Sequence, residues 1–400
     1  MTFADDFVTI HHGDCLTVMA EMDADSVDAI VTDPPYGLSF MGRDWDHGVP
    51  GEAFWREALR VAKPGAHLVA FGGTRTFHRL TCAIEDAGWE VRDCLGWLYG
   101  SGFPKSLNIG DGWGTALKPA WEPIILARKP LSGTVAANVQ QHGTGALNVN
   151  GTRIATDDPH GGGAKASSGF VDGYEGDGYT PGSPLGRWPA NIVHDGSDEV
   201  LAVFPQTESG KAEIGMGGNG ESLFMPGSTV ASCYADKGSA ARFFACFPGD
   251  DRCSDRRPAH LYGGAEEGRC CAKHTPQDSD LTRFRYCAKA DKRERDEGLY
   301  GFEEQRCSDR QSTDGVGGDN PRNRTNNARR NFHPTVKPLD LMRWLVRLVT
   351  PPDGIVLDPF MGSGTTLKAA RAEGHTSIGI DLEREHCEIA WGRLSQGVLL

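Results

Sequence analysis

No stretch of the 400-residue chain is apolar for long enough to cross a bilayer, which argues against an integral membrane protein. The start, Met1-Thr2-Phe3-Ala4-Asp5-Asp6, has no basic cluster followed by an apolar run, so it does not read as a secretory signal. The eleven cysteines never form a Cys-x-x-Cys pair, and a chain of this size does not need disulfide staples. A reducing, cytoplasmic setting is expected. No Gly-Lys-Ser/Thr follows a glycine-rich turn, which excludes a phosphate-binding P-loop. Basic charge is also short: the net charge of −13 argues against a protein that coats nucleic acid non-specifically. Only between Pro321 and Arg347 does the balance reverse. There Arg322, Arg324, Arg329, Arg330, Lys337, Arg343 and Arg347 face the single acid Asp340, a stretch that could meet phosphates or be a solvated loop.

Seven short apolar, β-branched runs are present: Val8–Ile10, Val27–Thr32, His67–Phe71, Val91–Tyr99, Pro123–Ala127, Gly354–Leu357 and Thr376–Ile380. Between them, apolar residues at helical spacing predict helices over Phe54–Val61, Phe77–Ala87, Leu339–Val349 and Thr365–Ala372. Strands alternating with helices point to an α/β domain with a largely parallel sheet. From Ser132 to Asn331 the chain is instead crowded with Gly, Asp, Ser and Asn. A structureless loop of that length is unusual inside a compact domain. We therefore expect an inserted module at 132–331, between two parts of one α/β domain at 1–131 and 332–400.

Asp33-Pro34-Pro35-Tyr36 directly follows the strand run ending at Thr32. Catalytic groups in open α/β sheets gather at the carboxyl ends of strands. The exocyclic amine of a nucleobase is a poor nucleophile, because its lone pair delocalises into the ring. The Asp33 carboxylate and the Pro34 carbonyl, accepting its N–H groups, would free that lone pair. Pro34 and Pro35 stiffen the backbone, and Tyr36 offers a ring for a base that has left the duplex. The plain alternative is a tight Asp-Pro turn. A second motif, Asp358-Pro359-Phe360-Met361-Gly362-Ser363-Gly364-Thr365-Thr366, follows another strand and opens a helix. Its glycines admit close approach of a ligand to the backbone, and Asp381, at the end of the next strand, suits ribose hydroxyls. Without a strict Gly-x-Gly-x-x-Gly, nicotinamide binding is disfavoured.

These two motifs, with His333-Pro334-Thr335-Val336-Lys337-Pro338 before the second, resemble those of the amino-DNA methyltransferases. Their order, catalytic motif first and cofactor motif last, resembles the β class of that family. The resemblance implies a circularly permuted Rossmann-like methyltransferase fold: a seven-stranded, mostly parallel sheet plus an inserted, irregular recognition module. It implies S-adenosylmethionine as cofactor, with Asp14 and Cys15 at its adenine and Asp381 at its ribose. Asp358, Phe360, Gly362, Gly364 and Thr365 would form its turn, and Thr335 and Lys337 would lie near its methionyl carboxylate. The catalytic residues would be Asp33, Pro34, Pro35 and Tyr36.

The implied chemistry is direct methyl transfer to a flipped base in double-stranded DNA, with restriction-modification as one setting and a homodimer as one assembly. Adenine N6 is the expected target, because Ser in place of Asp33 is the commoner choice in cytosine-N4 relatives. Cytosine N4, RNA, and a catalytically silent DNA-binding relative stand as alternatives. No cysteine nucleophile is required, and the Pro-Cys pair of cytosine-C5 enzymes is absent. Cys270-Cys271-x-x-His274, with Cys253, Cys287 and Cys307 nearby, lacks regular ligand spacing, and no metal is expected. Trp97, Tyr99, Phe103 and Lys105 could line a base pocket or serve packing alone. His11 and His12 alternate across a strand and are expected to be structural.

Overall fold

The computed structural model describes residues 1–38, 48–100, 108–155, 186–208, 237–246, 290, 292–306, 328–331, 333 and 335–395. One sheet holds ten strands. They are β1 (Thr2–Ala4), β2 (Val8–His12), β3 (Val27–Thr32), β4 (Ala62–Phe71), β5 (Glu90–Leu98), β6 (Trp121–Arg128), β7 (Ile192–His194), β8 (Ala245–Cys246), β9 (Ile355–Asp358) and β10 (Thr376–Asp381). Their order across the sheet is β1-β2-β10-β9-β3-β4-β6-β5-β7-β8. Only β1 and β6 run against their neighbours. All seven runs expected to be strands are strands of this sheet. It is wider than seven because β1, β7 and β8 extend its edges. With three, three and two residues, these are too short to show any alternation.

Strand alternation splits the core into two layers. Val31, Val69, Phe71 and Leu126 point to one face, where helices α5 (Leu339–Val349) and α6 (Thr365–Ala372) cover them. Ile30, Leu68, Ala70 and Ile125 point to the other, beneath α1 (Cys15–Glu21), α2 (Glu52–Val61) and α3 (Phe77–Asp86). A further helix, α4 (Val135–His142), follows β6. The last, α7 (Arg384–Ser395), packs with Val8, Ile10 and Leu367 in a third cluster. Each face is dry because residues two apart along a strand share it. The result is a helix–sheet–helix sandwich.

The C-terminal strands β9 and β10 lie between β2 and β3 of the N-terminal part. Register brings Val356 beside Ala29 and Asp381 beside His12. The ends of β2, β10, β9 and β3 therefore meet at one edge, where the chain turns left from β9 to β10 and right from β3 to β4. Ligands of open α/β sheets bind at such a switch point.

Among the described residues, no helix is long and apolar enough to cross a membrane. Most of the expected insert, including Cys253, Cys270, Cys271, His274, Cys287 and Cys307, lies outside the described residues, as do Phe103, Lys105 and Pro334. The basic stretch near the C-terminal part is not a free patch throughout. Arg343 and Arg347 both donate to Glu373 at 2.7 Å. Arg330 bonds the Phe302 carbonyl, and Arg322 and Arg324 lie outside the described residues.

Candidate active site

A cavity of about 370 Å³ opens at the switch point, lined by Asp14, Cys15, Asp33, Pro34, Pro35, Tyr36, Phe54, His333, Thr335, Phe360, Gly362, Asp381 and His386 among others. That volume falls in the range of small-molecule sites. Tyr36 and Phe360, from motifs more than three hundred positions apart in the sequence, share it because β3 and β9 are adjacent.

At the glycine turn, Gly362 takes φ +52 and its N–H donates to Asp381 Oδ2 at 2.9 Å. Asp381 Oδ1 accepts from Glu383 N at 2.8 Å and lies 3.1 Å from His386 Nδ1. A carboxylate oxygen can accept two bonds, so Oδ2 retains capacity for a ligand hydroxyl. His333 lies over this turn, such that a Cβ on Gly362 would meet its Nε2 at 2.7 Å. Its ring is edge-on to His386, with centroids 4.6 Å apart. Burial, with His386 and Arg295 adding to it, holds the His333 pKa well below the usual imidazole range. The ring is therefore a neutral wall. Phe360 packs on Phe54 and Trp55, with centroids 5.9 and 6.3 Å away.

Asp14 caps α1, accepting from Thr17 N at 2.9 Å, so it combines a local folding role with its place at the cavity. Burial and the neighbouring Asp14 push the Cys15 thiol up to about 12, which leaves it protonated and inert.

Four expected contacts are not in the cavity lining. Asp358 is buried beneath it, accepting from Thr32 Oγ1 at 2.7 Å and Phe360 N at 3.1 Å. Gly364 (φ +75) and Thr365 turn towards α7. A Cβ on Gly364 would meet Ala390 Cβ at 2.8 Å, and Arg393 Nη1 donates to Thr365 Oγ1 at 3.1 Å. Lys337 turns to the catalytic tetrapeptide and Glu122. Its ammonium donates to Asp33 Oδ2 at 2.6 Å and to the Tyr36 hydroxyl at 3.1 Å, and lies 3.4 Å from Glu122 Oε2. It sits 4.7 Å from the centre of the Phe71 ring. Burial alone would pull the Lys337 pKa down, but the carboxylates of Asp33 and Glu122 outweigh it and hold the group charged. The opposite oxygen, Asp33 Oδ1, is buried without a hydrogen-bond partner among the described residues.

Sequence reasoning missed Glu122 and His386. Glu122 opens an apolar strand and His386 lies on a helix without a stripe, so neither carries a motif. Tyr99 does reach this network, donating to Glu122 Oε1 at 3.4 Å, while Trp97 is core. Among the described residues no group of acids, histidines and cysteines could hold a metal.

The strand order, with antiparallel β6 between β4 and β5 and the cavity at the switch point, defines a Rossmann-like methyltransferase fold. A family model described as DNA methylase matches residues 27–142 and 244–391, and the chain belongs to this family of N6- and N4-methylating amino-DNA methyltransferases. The chain is 42% identical over 65 residues to the Type II methyltransferase M.ScaI of Streptomyces caespitosus, covering 16% of this chain and 21% of that enzyme. It is 26% identical over 202 residues to M.HindIII of Haemophilus influenzae, covering 35% of this chain and 65% of that enzyme. The matches thus span less than two thirds of either relative. The solved PvuII DNA methyltransferase, described as cytosine-N4-specific, aligns with 98% of this chain and 87% of its own at 12% identity and a TM-score of 0.46.

Proposed function

We propose that this protein transfers a methyl group from S-adenosylmethionine to the N6 of adenine in double-stranded DNA. The observation that carries the reading is the asymmetry of Asp33. One oxygen is fixed by Lys337, and the other is buried with no partner among the described residues. A buried acceptor without a donor costs roughly 1–3 kcal/mol, a cost that a bound amine removes. Asp33 Oδ1 and the Pro34 carbonyl accept the two N–H groups of the target base, and Tyr36 lies against its ring. The choice of adenine over cytosine N4 rests on Asp rather than Ser at position 33.

S-adenosylmethionine, when bound, supplies a methyl group on a positively charged sulfur. Asp14, Cys15, Thr335, Phe360, Gly362 and Asp381, which line the cavity, would hold it, with Asp358, Gly364 and Thr365 supporting the turn from behind. Lys337, from its position, serves Asp33 rather than the methionyl end. The amine held by Asp33 and Pro34 would take the cofactor's methyl, with the C–S bonding pair staying on sulfur. The nitrogen then sheds one proton through Asp33 to solvent. Burial lifts the Asp33 carboxyl above its usual range, against the pull of Lys337, which suits brief protonation. Residues 132–331 would supply sequence recognition.

The test is to incubate the protein with duplex DNA and labelled S-adenosylmethionine and to identify the modified nucleoside by mass spectrometry. N6-methyladenine is expected, and Asp33→Ala should lose at least about a hundredfold in kcat while still binding cofactor. Label in N4-methylcytosine alone would refute adenine. Full activity in Asp33→Ala would refute the mechanism.

A further inference from the structure

We infer that Glu122, at the start of β6, is a positioning residue that holds Lys337 and Tyr36 on one side of Asp33, so that a single oxygen of Asp33 is kept for the target amine. This rests on the function proposed above and adds a residue that neither motif contains.

Glu122 does not line the cavity. It touches what does. Its Oε2 accepts from the Tyr36 hydroxyl at 3.2 Å and lies 3.4 Å from the Lys337 ammonium, and its Oε1 accepts from the Tyr99 hydroxyl at 3.4 Å. Strand register accounts for this reach. Antiparallel β6 pairs Ile124 with Phe71, so its first residues stand at the same edge as the carboxyl ends of β3 and β4.

An ammonium has three donors. Here Asp33 Oδ2 and the Tyr36 hydroxyl accept two of them, and Glu122 Oε2, at ion-pair distance, draws the remaining charge to its side. With Glu122 neutralised or withdrawn, one donor is released beside Asp33, free to swing onto Oδ1 and block it. Charge adds to geometry. Asp33, Glu122 and Lys337 together carry one net negative charge, placed where the attacking nitrogen becomes positive. Replacing Glu122 by a neutral group leaves the cluster without that excess.

Among the described residues, the charged and titratable groups facing this cluster are Asp33, Lys337, Tyr36 and Tyr99, and Asp358 interacts with it through Asp33. The Glu122 charge raises the pKa of both Asp33 and Lys337. Glu122→Gln should therefore move the acid and the alkaline limbs of the kcat/KM profile in the same direction, to lower pH. A purely structural role would lower activity or stability without that joint displacement.

The experiment compares the wild type, Glu122→Gln and Glu122→Asp by kcat, KM for S-adenosylmethionine and pH profile on the same duplex. For Glu122→Gln we expect kcat to fall roughly tenfold or more, as for loss of electrostatic preorganisation, with KM for the cofactor little changed and both limbs displaced to lower pH. For Glu122→Asp, which keeps the charge but shortens the reach, we expect a fall in kcat with the limbs unmoved. If Glu122→Gln fails to fold, the Glu122→Asp result alone decides, and wild-type kcat there overturns the inference. An active wild type with Glu122→Gln matching it in kcat and profile overturns the inference and leaves the proposed function standing. A wild type that methylates no DNA removes both.

Discussion

Asp358 ends β9 with its carboxyl fully inside the protein, and the Thr32 hydroxyl reaches it from the residue just before Asp33. This one hydrogen bond ties the two motifs together beneath the cavity floor. Burial pushes the Asp358 carboxyl up from 3.8 to about 7. Between those values the folded chain holds this proton more tightly than the unfolded chain. Stability from this site is therefore full at low pH, falls as pH rises through the window, and levels off above it. Asp358→Asn stays neutral throughout and can still accept from Thr32. Urea unfolding at about pH 5 and about pH 8 should show the variant gaining on the wild type by roughly 2–4 kcal/mol at the higher pH. An equal gap at both would mean that the carboxyl is not held protonated. The residue scale is also where sequence reading stops short. Lys337 belongs to a recognisable segment, yet spacing cannot say to which side of a cavity a long side chain turns. Its partner Glu122 comes from a strand more than two hundred positions away, and only the register of β6 against β4 brings it there.

The C-terminal helix α7 braces the glycine turn from behind. Arg393, itself buried, donates to the Ser363 carbonyl at 2.6 Å, and Ala390 leaves no room for a side chain at Gly364. Gly364 also has φ +75, where a side chain is strained. Gly364→Ala should cost about 1–3 kcal/mol from backbone strain alone, plus a shift of α7, and should weaken S-adenosylmethionine binding. Thermal unfolding and calorimetric titration would measure the two effects. A variant with unchanged melting and affinity would show that α7 does not constrain the turn. The sequence reveals α5 and α6 because their apolar residues recur on one face. It conceals α7, whose buried positions 387, 389, 390, 392, 393 and 394 include an arginine and a glycine and form no stripe. In the same way the seven long strands declare themselves by β-branched runs, while the short edge strands need a neighbour to exist at all.

At the scale of the whole molecule, chain order and spatial order disagree in two places: β6 sits between β4 and β5, and β9 and β10, last in sequence, sit between β2 and β3. The sheet is continuous only because the last part of the chain closes a gap in the first. The two parts also meet near the start of the chain. Phe3 stacks on Trp391 with ring centroids 5.8 Å apart, and Arg371 bonds both Asp5 and the Leu394 carbonyl, at 2.9 and 3.2 Å. A short glycine-serine linker can therefore join the end of α7 to β1. Placing residues 319–400 ahead of residues 1–318 through such a linker gives the strand sequence β9, β10, β1, β2, β3, which brings the four strands of the left half together in the chain ahead of β3. Circular rearrangement is tolerated where the joined points are close and the new ends fall between elements. The rearranged chain should unfold cooperatively within about 10 °C of the parent, bind S-adenosylmethionine and produce the same methylated nucleoside. A rearranged chain that never yields a cooperative transition would mean that the native connection through residues 307–327 contributes to assembling the sheet.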